Sequence, residues 1–214
     1  AFIYRRSIAK DVWGTDDPAV IKTKVGPGWE KFFQAAEDLR KKNYAIISGD
    51  GDIWHAIEGS SPKGWIVDGK LYVDKTREDF LDIAKTMVDK GYHNDTRDWT
   101  DAWFADMKDA GAKKVFGFFG PAWLINYVMA GNSGGTKPGE GTYGDWAVCE
   151  PPVGFFWGGT WLLQTTTAPS RMQWAKSSSG SRSTAPTPVC SITGPTEPSM
   201  VPAEPRTLSP PARS

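Results

Sequence analysis

Apolar residues recur over the first 162 positions with spacings that switch between helix and strand. Trp29, Phe32, Phe33, Ala36 and Leu39 fall at i, i+3, i+4, i+7 and i+10, and Lys41 and Lys42 suit a helix C-terminus. The pattern predicts a helix over 29–42 lying flat on a sheet. A second helix is predicted over 76–90: Thr76 and Asp79 have the spacing of a capping box, Phe80, Ala84, Met87 and Val88 form its buried face, and Gly91 stops it. A third, over 99–110, places Trp99, Trp103, Met107 and Ala110 on one stripe. Short strands are expected at 2–5, 44–48, 65–67, 70–73, 114–118 and 145–149. Helices alternating with short strands predict an α/β domain.

The character changes at Leu163. Beyond it lie nine of the sixteen prolines, abundant Ser and Thr, one tryptophan, and Glu197 and Glu204 as the only acids. Such a composition buries too little apolar surface to offset its ordering entropy, which predicts a folded portion at 1–162 and a Ser/Pro/Thr-rich disordered tail at 163–214. The codon table suggests an origin for the tail. Met172-Gln173-Trp174-Ala175-Lys176 is nearly fixed in DNA, and a shifted frame opposite 172–196 permits helix-like and Trp-bearing strings typical of a folded domain. A frameshift is the expectation, and the nucleotide sequence tests it.

Composition narrows the function classes. Twenty-five basic residues balance twenty-five acidic ones, so no basic field exists to hold nucleic acid or an anionic membrane. Cys149, Cys190, His55 and His93 are isolated, which predicts neither a zinc site nor a disulfide framework, and no cofactor motif is present. Nowhere do eighteen apolar residues run together. The chain opens at Ala1 without Met or a signal-like segment, so the expectation is a removed signal or a missing N-terminal part. Eleven tryptophans, ten of them before residue 162, mean either a large aromatic core or a sugar-stacking surface.

Three segments could carry that chemistry. In the first, Gly117-Phe118-Phe119-Gly120-Pro121-Ala122-Trp123 reads as strand, turn and helix start, followed by Tyr127. Trp123 would then stand at the C-terminal edge of a sheet, where open α/β sheets bind ligands; alternatively it packs on that sheet. In the second, Gly158 and Gly159 lie between Trp157 and Trp161, as a close backbone approach to a ligand or as a tight strand crossing flanked by core aromatics. The third is Ser48-Gly49-Asp50-Gly51-Asp52-Ile53-Trp54-His55, a Gly-rich loop leading into a helix. There Asp52 is either an N-cap or a carboxylate acceptor for sugar hydroxyls beside Trp54, while the remaining ligands of an EF-hand loop are absent. No nucleophile elbow, phosphate loop or dinucleotide fingerprint is present. A glycoside-processing enzyme fragment stays open as an alternative, needing a facing pair of carboxylates, as does a truncated product without function.

Two strings and the order of landmarks resemble a known family. Tyr4-Arg5-Arg6-Ser7-Ile8-Ala9-Lys10 with Gly14-Thr15-Asp16-Asp17-Pro18 resembles a segment of family 1 extracellular solute-binding proteins. Gly120-Pro121-Ala122-Trp123 resembles the Gly-Pro-Trp stretch of maltose-binding-protein relatives, and a strand, a Pro turn and a Gly-Gly crossing follow in the same order. The resemblance covers about residues 1–162. It implies a periplasmic-binding-protein-like (type II) α/β lobe, with a mixed sheet flanked by helices. It also implies a non-enzymatic, monomeric sugar receptor of an ABC importer, extracellular or periplasmic and lipid-anchored in its full-length parent. Its partners would be a mono- or oligosaccharide, held in an interlobe cleft, and membrane permease subunits. Under that resemblance Trp123 is the stacking platform, with Trp54, Trp157, Trp161, Tyr127, Gly158 and Asp52 as further site residues. The chain then starts where the family's chain first crosses into the second lobe, so much of the first lobe would be absent.

Overall fold

The computed structural model describes residues 1–159. The expected tail at 163–214 and Trp161 lie outside the described residues.

Strand β1 (Phe2–Arg5) is the spine of a three-stranded antiparallel sheet, with β6 (Gly117–Phe119) on one side and β7 (Trp146–Cys149) on the other. Phe2 faces Phe119 across one register and Cys149 across the other. All four β1 side chains are buried. Their period of two divides them between two cores: Phe2 and Tyr4 enter one, with Phe119, and Ile3 enters the other, with Phe118. Strands β2 (Tyr44–Ala45) and β5 (Lys114–Val115) pair in parallel, and Phe116 N–H and Gly117 N–H go on to donate to Ala45 and Ile46 carbonyls. A mixed sheet results, as expected, and its first core is closed by helices.

Helices α1 (Arg6–Trp13) and α2 (Pro18–Val25) have local causes that the apolar pattern did not flag. Gly14, at φ +73°, ends α1, and the Asp17 side chain caps α2 by accepting from Ala19 N–H, with Pro18 at the first helical position. Helix α3 (Trp29–Lys41) buries Phe32, Ala35, Ala36 and Leu39, close to the predicted stripe. Helix α4 (Gly51–Ser60) buries Asp52, Ile53, Ala56 and Ile57. A hairpin of β3 (Ile66–Val67) and β4 (Lys70–Leu71) follows, held by Arg77, whose guanidinium pairs with Glu58 and Asp74 and lies 4.2 Å above the Trp65 ring.

Two helix starts differ from expectation. Helix α5 (Lys75–Lys90) is capped by Asp74, which accepts from Arg77 N–H, in place of the Thr76–Asp79 box, and it ends at Gly91 in the left-handed region, as predicted. Its inward face carries Ile83 and Met87, and Val88 is 57% exposed because it falls one position outside that stripe. Helix α6 (Asp101–Met107) begins two residues later than expected, because the Thr100 side chain accepts from Trp103 N–H and so sets the first turn. Beyond β6, α7 (Ala122–Leu124) continues through a π turn, Ile125–Met129, into α8 (Ala130–Asn132).

Candidate functional site

The second core rises toward the surface as a group of indoles. Trp103 is its fully buried base, edge-on to Phe118 at 5.8 Å between ring centroids. Gly120 and Pro121 turn the chain from β6 into α7. A larger residue at 120 would have to displace the buried Leu124 side chain, since a Cβ there would meet Leu124 Cδ2 at 2.3 Å. That turn lifts Trp123 half out of the core at the end of β6.

Three further rings gather round it. Trp99 lies nearly parallel to Trp123, at 6.2 Å and 17°, and rests on Trp103 at 5.4 Å. Trp157 meets Trp123 edge-on at 5.6 Å and 69°, and its face stacks on the His55 imidazole at 3.8 Å and 13°. Gly158, at φ +66°, passes over the Trp123 indole, where a Cβ would lie in ordinary contact at 3.8 Å. Trp99 is 51% exposed and has φ +64°, an unusual backbone conformation for a bulky residue.

Polar groups flank the indoles. His55 Nε2 lies 3.0 Å from Asp98 Oδ2. Next to this pair, a hollow of about 320 Å³ opens between the start of α4 and the 95–98 loop, lined by Asp50, Gly51, Asp95, Thr96, Arg97 and Asp98. Beneath, Asp52 is fully buried and its Oδ2 accepts from Phe119 N–H at 3.3 Å. Burial first, and the charge of Asp98 second, push the Asp52 carboxyl well above the usual carboxylate range. The Trp103 indole N–H opposes this by its proximity, without hydrogen-bond geometry. Among the described residues no group of His, Cys, Asp or Glu has a metal-holding arrangement.

Of the residues singled out from sequence, Trp123, Trp157 and Gly158 come together here. Trp54 belongs to the other core, packed on Phe80 at 5.0 Å and Trp65 at 6.3 Å. Tyr127 is 85% exposed on the π turn and makes no ring contact with the group among the described residues. Asp52 is neither an N-cap nor at the surface. The cap position belongs to Asp50, whose side chain makes no capping bond, and Asp52 turns inward to meet the end of β6. Sequence reasoning missed Trp99, His55 and Asp98 as members of the group. A local signal existed for Trp99: a Thr three residues before Trp103 starts the helix after position 99 and frees Trp99 from the helical stripe.

No protein-family profile and no curated protein matches the sequence. Among solved structures, an extracellular solute-binding protein of family 1 matches with a TM-score of 0.58 and 21% identity, over 72% of this chain and 38% of that one. An ABC transporter-associated binding protein from B. animalis subsp. lactis Bl-04, solved with β-1,6-galactobiose, matches with a TM-score of 0.49 and 20% identity, over 71% of this chain and 37% of that one. The chain thus spans under two fifths of the length of either structure. At these identities the likeness is one of fold, and the described residues adopt, over part of its length, the fold of an extracellular solute-binding protein of family 1.

Proposed function

We propose that this chain is a carbohydrate-capturing part of a solute-binding receptor for an ABC importer, and that Trp123, Trp99 and Trp157 form its stacking surface. One observation carries the reading: three indoles converge at the C-terminal edge of β6 with a polar pair, His55 and Asp98, beside them. Indole faces suit the C–H faces of sugar rings, while a carboxylate and an imidazole suit their hydroxyls. The family fold supports a receptor rather than an enzyme. In this reading sugar is held in a cleft against a second lobe, the loaded receptor docks on permease subunits, and the full-length protein works outside the cytoplasm on a lipid anchor. The domain boundary falls near residue 162. Gly158 serves the site through its backbone, whose φ of +66° lets the chain pass over Trp123. Trp54 and Asp52 leave the ligand-contacting set in this reading, because one is packed on the other core and the other is buried, while exposed Tyr127, four residues after Trp123, stays within it.

The test is a titration of the full chain with a panel of neutral mono- and oligosaccharides, read by tryptophan fluorescence and calorimetry, in the wild type and in Trp123→Ala. An aromatic anchor of this kind accounts for about 1–3 kcal/mol, so affinity should fall about 5- to 150-fold. A wild-type chain that binds no member of the panel refutes the reading. Equal affinities in the two chains remove Trp123 from the site.

A further inference from the structure

A buried carboxylate on α6 ties together the segments that carry the indoles. Asp106 is fully buried, one turn beyond Trp103 on the same helix. Its Oδ2 accepts from the hydroxyl of Ser48, just past β2, and from Thr96 Oγ1 at 3.2 Å, and the two hydroxyls lie 2.6 Å from each other. Its Oδ1 accepts from Asn94 Nδ2 at 2.7 Å. Asn94 is bonded on its other side as well: Nδ2 donates to the Lys113 carbonyl at 2.8 Å, and Oδ1 accepts from Lys113 N–H at 3.1 Å. Burial pushes the Asp106 carboxyl up, and its three side-chain donors oppose this by favouring the charged form.

The backbone around the carboxylate is shaped to admit these bonds. Asn94 N–H and Thr96 N–H both donate to the Ser48 carbonyl, at 3.1 and 3.2 Å. A Cβ on Gly49 would collide with the Thr96 carbonyl, and one on Gly111 would collide with Asp106 Oδ1. The segment held in this way runs directly into Asp98, the partner of His55, and then into Trp99. Asp95 and Trp99 within it hold positive φ, +58° and +64°, and such conformations persist in non-glycine residues where the surroundings over-determine them.

We propose, resting on the sugar-site reading above, that Asp106 is a positioning residue of that site: its three hydrogen bonds fix the 94–99 segment to α6, so that Trp99 stands against Trp103 and Trp123. Helix α6 supplies both halves of the arrangement, since it carries the carboxylate that holds the segment and the Trp103 indole on which Trp99 rests at 5.4 Å. Asp106 itself is closed to solvent, so its effect on a ligand passes through Trp99.

The experiment uses the full chain without sugar, so the failure of this inference shows in the position of Trp99 and the failure of the carbohydrate reading shows in the titration. The chain is labelled with 5-fluorotryptophan, and the Trp99 resonance is the one missing from the fluorine NMR spectrum of Trp99→Phe. Asp106→Leu keeps the bulk and removes all three bonds, and should move that resonance toward its position in urea. Thr96→Val removes the hydroxyl on the segment's side alone; it should move the resonance part of the way, and it carries the test if Asp106→Leu fails to fold. Asp106→Asn should leave the resonance in place, because its amide oxygen still accepts from Asn94 while its NH2 donates to the Ser48 and Thr96 oxygens. Phe2→Leu, a destabilising change in the other core, should also leave it in place. A resonance unmoved in Thr96→Val, or in a folded Asp106→Leu, overturns the positioning role. A shift in Asp106→Asn or Phe2→Leu as large as that in Asp106→Leu overturns it too, since the three bonds would then not be what holds the ring.

Discussion

Phe2 opens β1, the central strand of the three-stranded sheet. Here its ring is fully buried and forms edge or tilted contacts with Phe119, Phe116 and Phe32 at 5.2, 5.8 and 5.9 Å. Its strand is hydrogen-bonded on both sides, to β6 and to β7. Truncation to alanine empties the meeting point of two strands and α3, and a buried Phe→Ala change costs about 3–5 kcal/mol. Against the ~5–15 kcal/mol that stabilises a typical domain, that is a large fraction. Phe2→Leu separates the two parts of this cost. Leucine keeps much of the buried volume, for which about 1.5 kcal/mol is an upper value, but loses three ring contacts of about 0.5–1.5 kcal/mol each. These contacts share one ring and do not simply add, so about 2–3 kcal/mol is expected.

The assay is equilibrium urea unfolding by tryptophan fluorescence, with the slope compared so that a change in midpoint can be read as a change in stability. Alanine should lower the midpoint by more than leucine, at unchanged slope. If both variants stay within about 0.5 kcal/mol of wild type, as exposed positions do, β1 is not the spine of the sheet and the two-core description fails.

Three further outcomes are expected. Thr100→Ala removes the α6 cap and should cost about 1 kcal/mol in urea unfolding, and a stability equal to wild type would mean that the helix starts elsewhere. Burial pushes the Cys149 thiol up to about 12, so in a Cys190→Ser background it should resist a thiol reagent at pH 8 in the native state and react in urea; rapid native labelling would refute its burial. Glu37, bonded to Arg40 and Tyr92, is held down at about 2 from an ordinary 4.5. Its contribution is present above 4.5 and is lost as pH falls toward 2, so Glu37→Gln should flatten the acid limb of the stability curve, and an unchanged limb would refute the pairing.

What the sequence revealed of this molecule follows the range of the forces involved. Helix α3 and the end of α5 were readable because their causes lie within a few residues: an apolar stripe in one, and a glycine free to adopt φ +63° in the other. Helices α1 and α2 were missed for the opposite reason. Each is only eight residues long, and the signals that bound them, Gly14 after α1 and the Asp17 cap with Pro18 before α2, are single residues rather than a long stripe. The candidate site divides along the same line. Trp54 and Trp123 look alike in sequence, each a tryptophan just inside a helix that follows a glycine turn. The sheet separates them, since α4 turns Trp54 toward Phe80 on the first core and the Gly120–Pro121 turn sets Trp123 over the second. Asp52 read as a helix cap or a hydroxyl acceptor, because aspartates in Gly-rich loops usually stand at helix starts or at the surface. Only the tertiary fold brings the Phe119 amide and a second aspartate, 46 positions later in the chain, to that carboxyl. A residue type therefore points to the chemistry a site can perform, while its membership of the site depends on which face of β1 and β6 its helix is packed against.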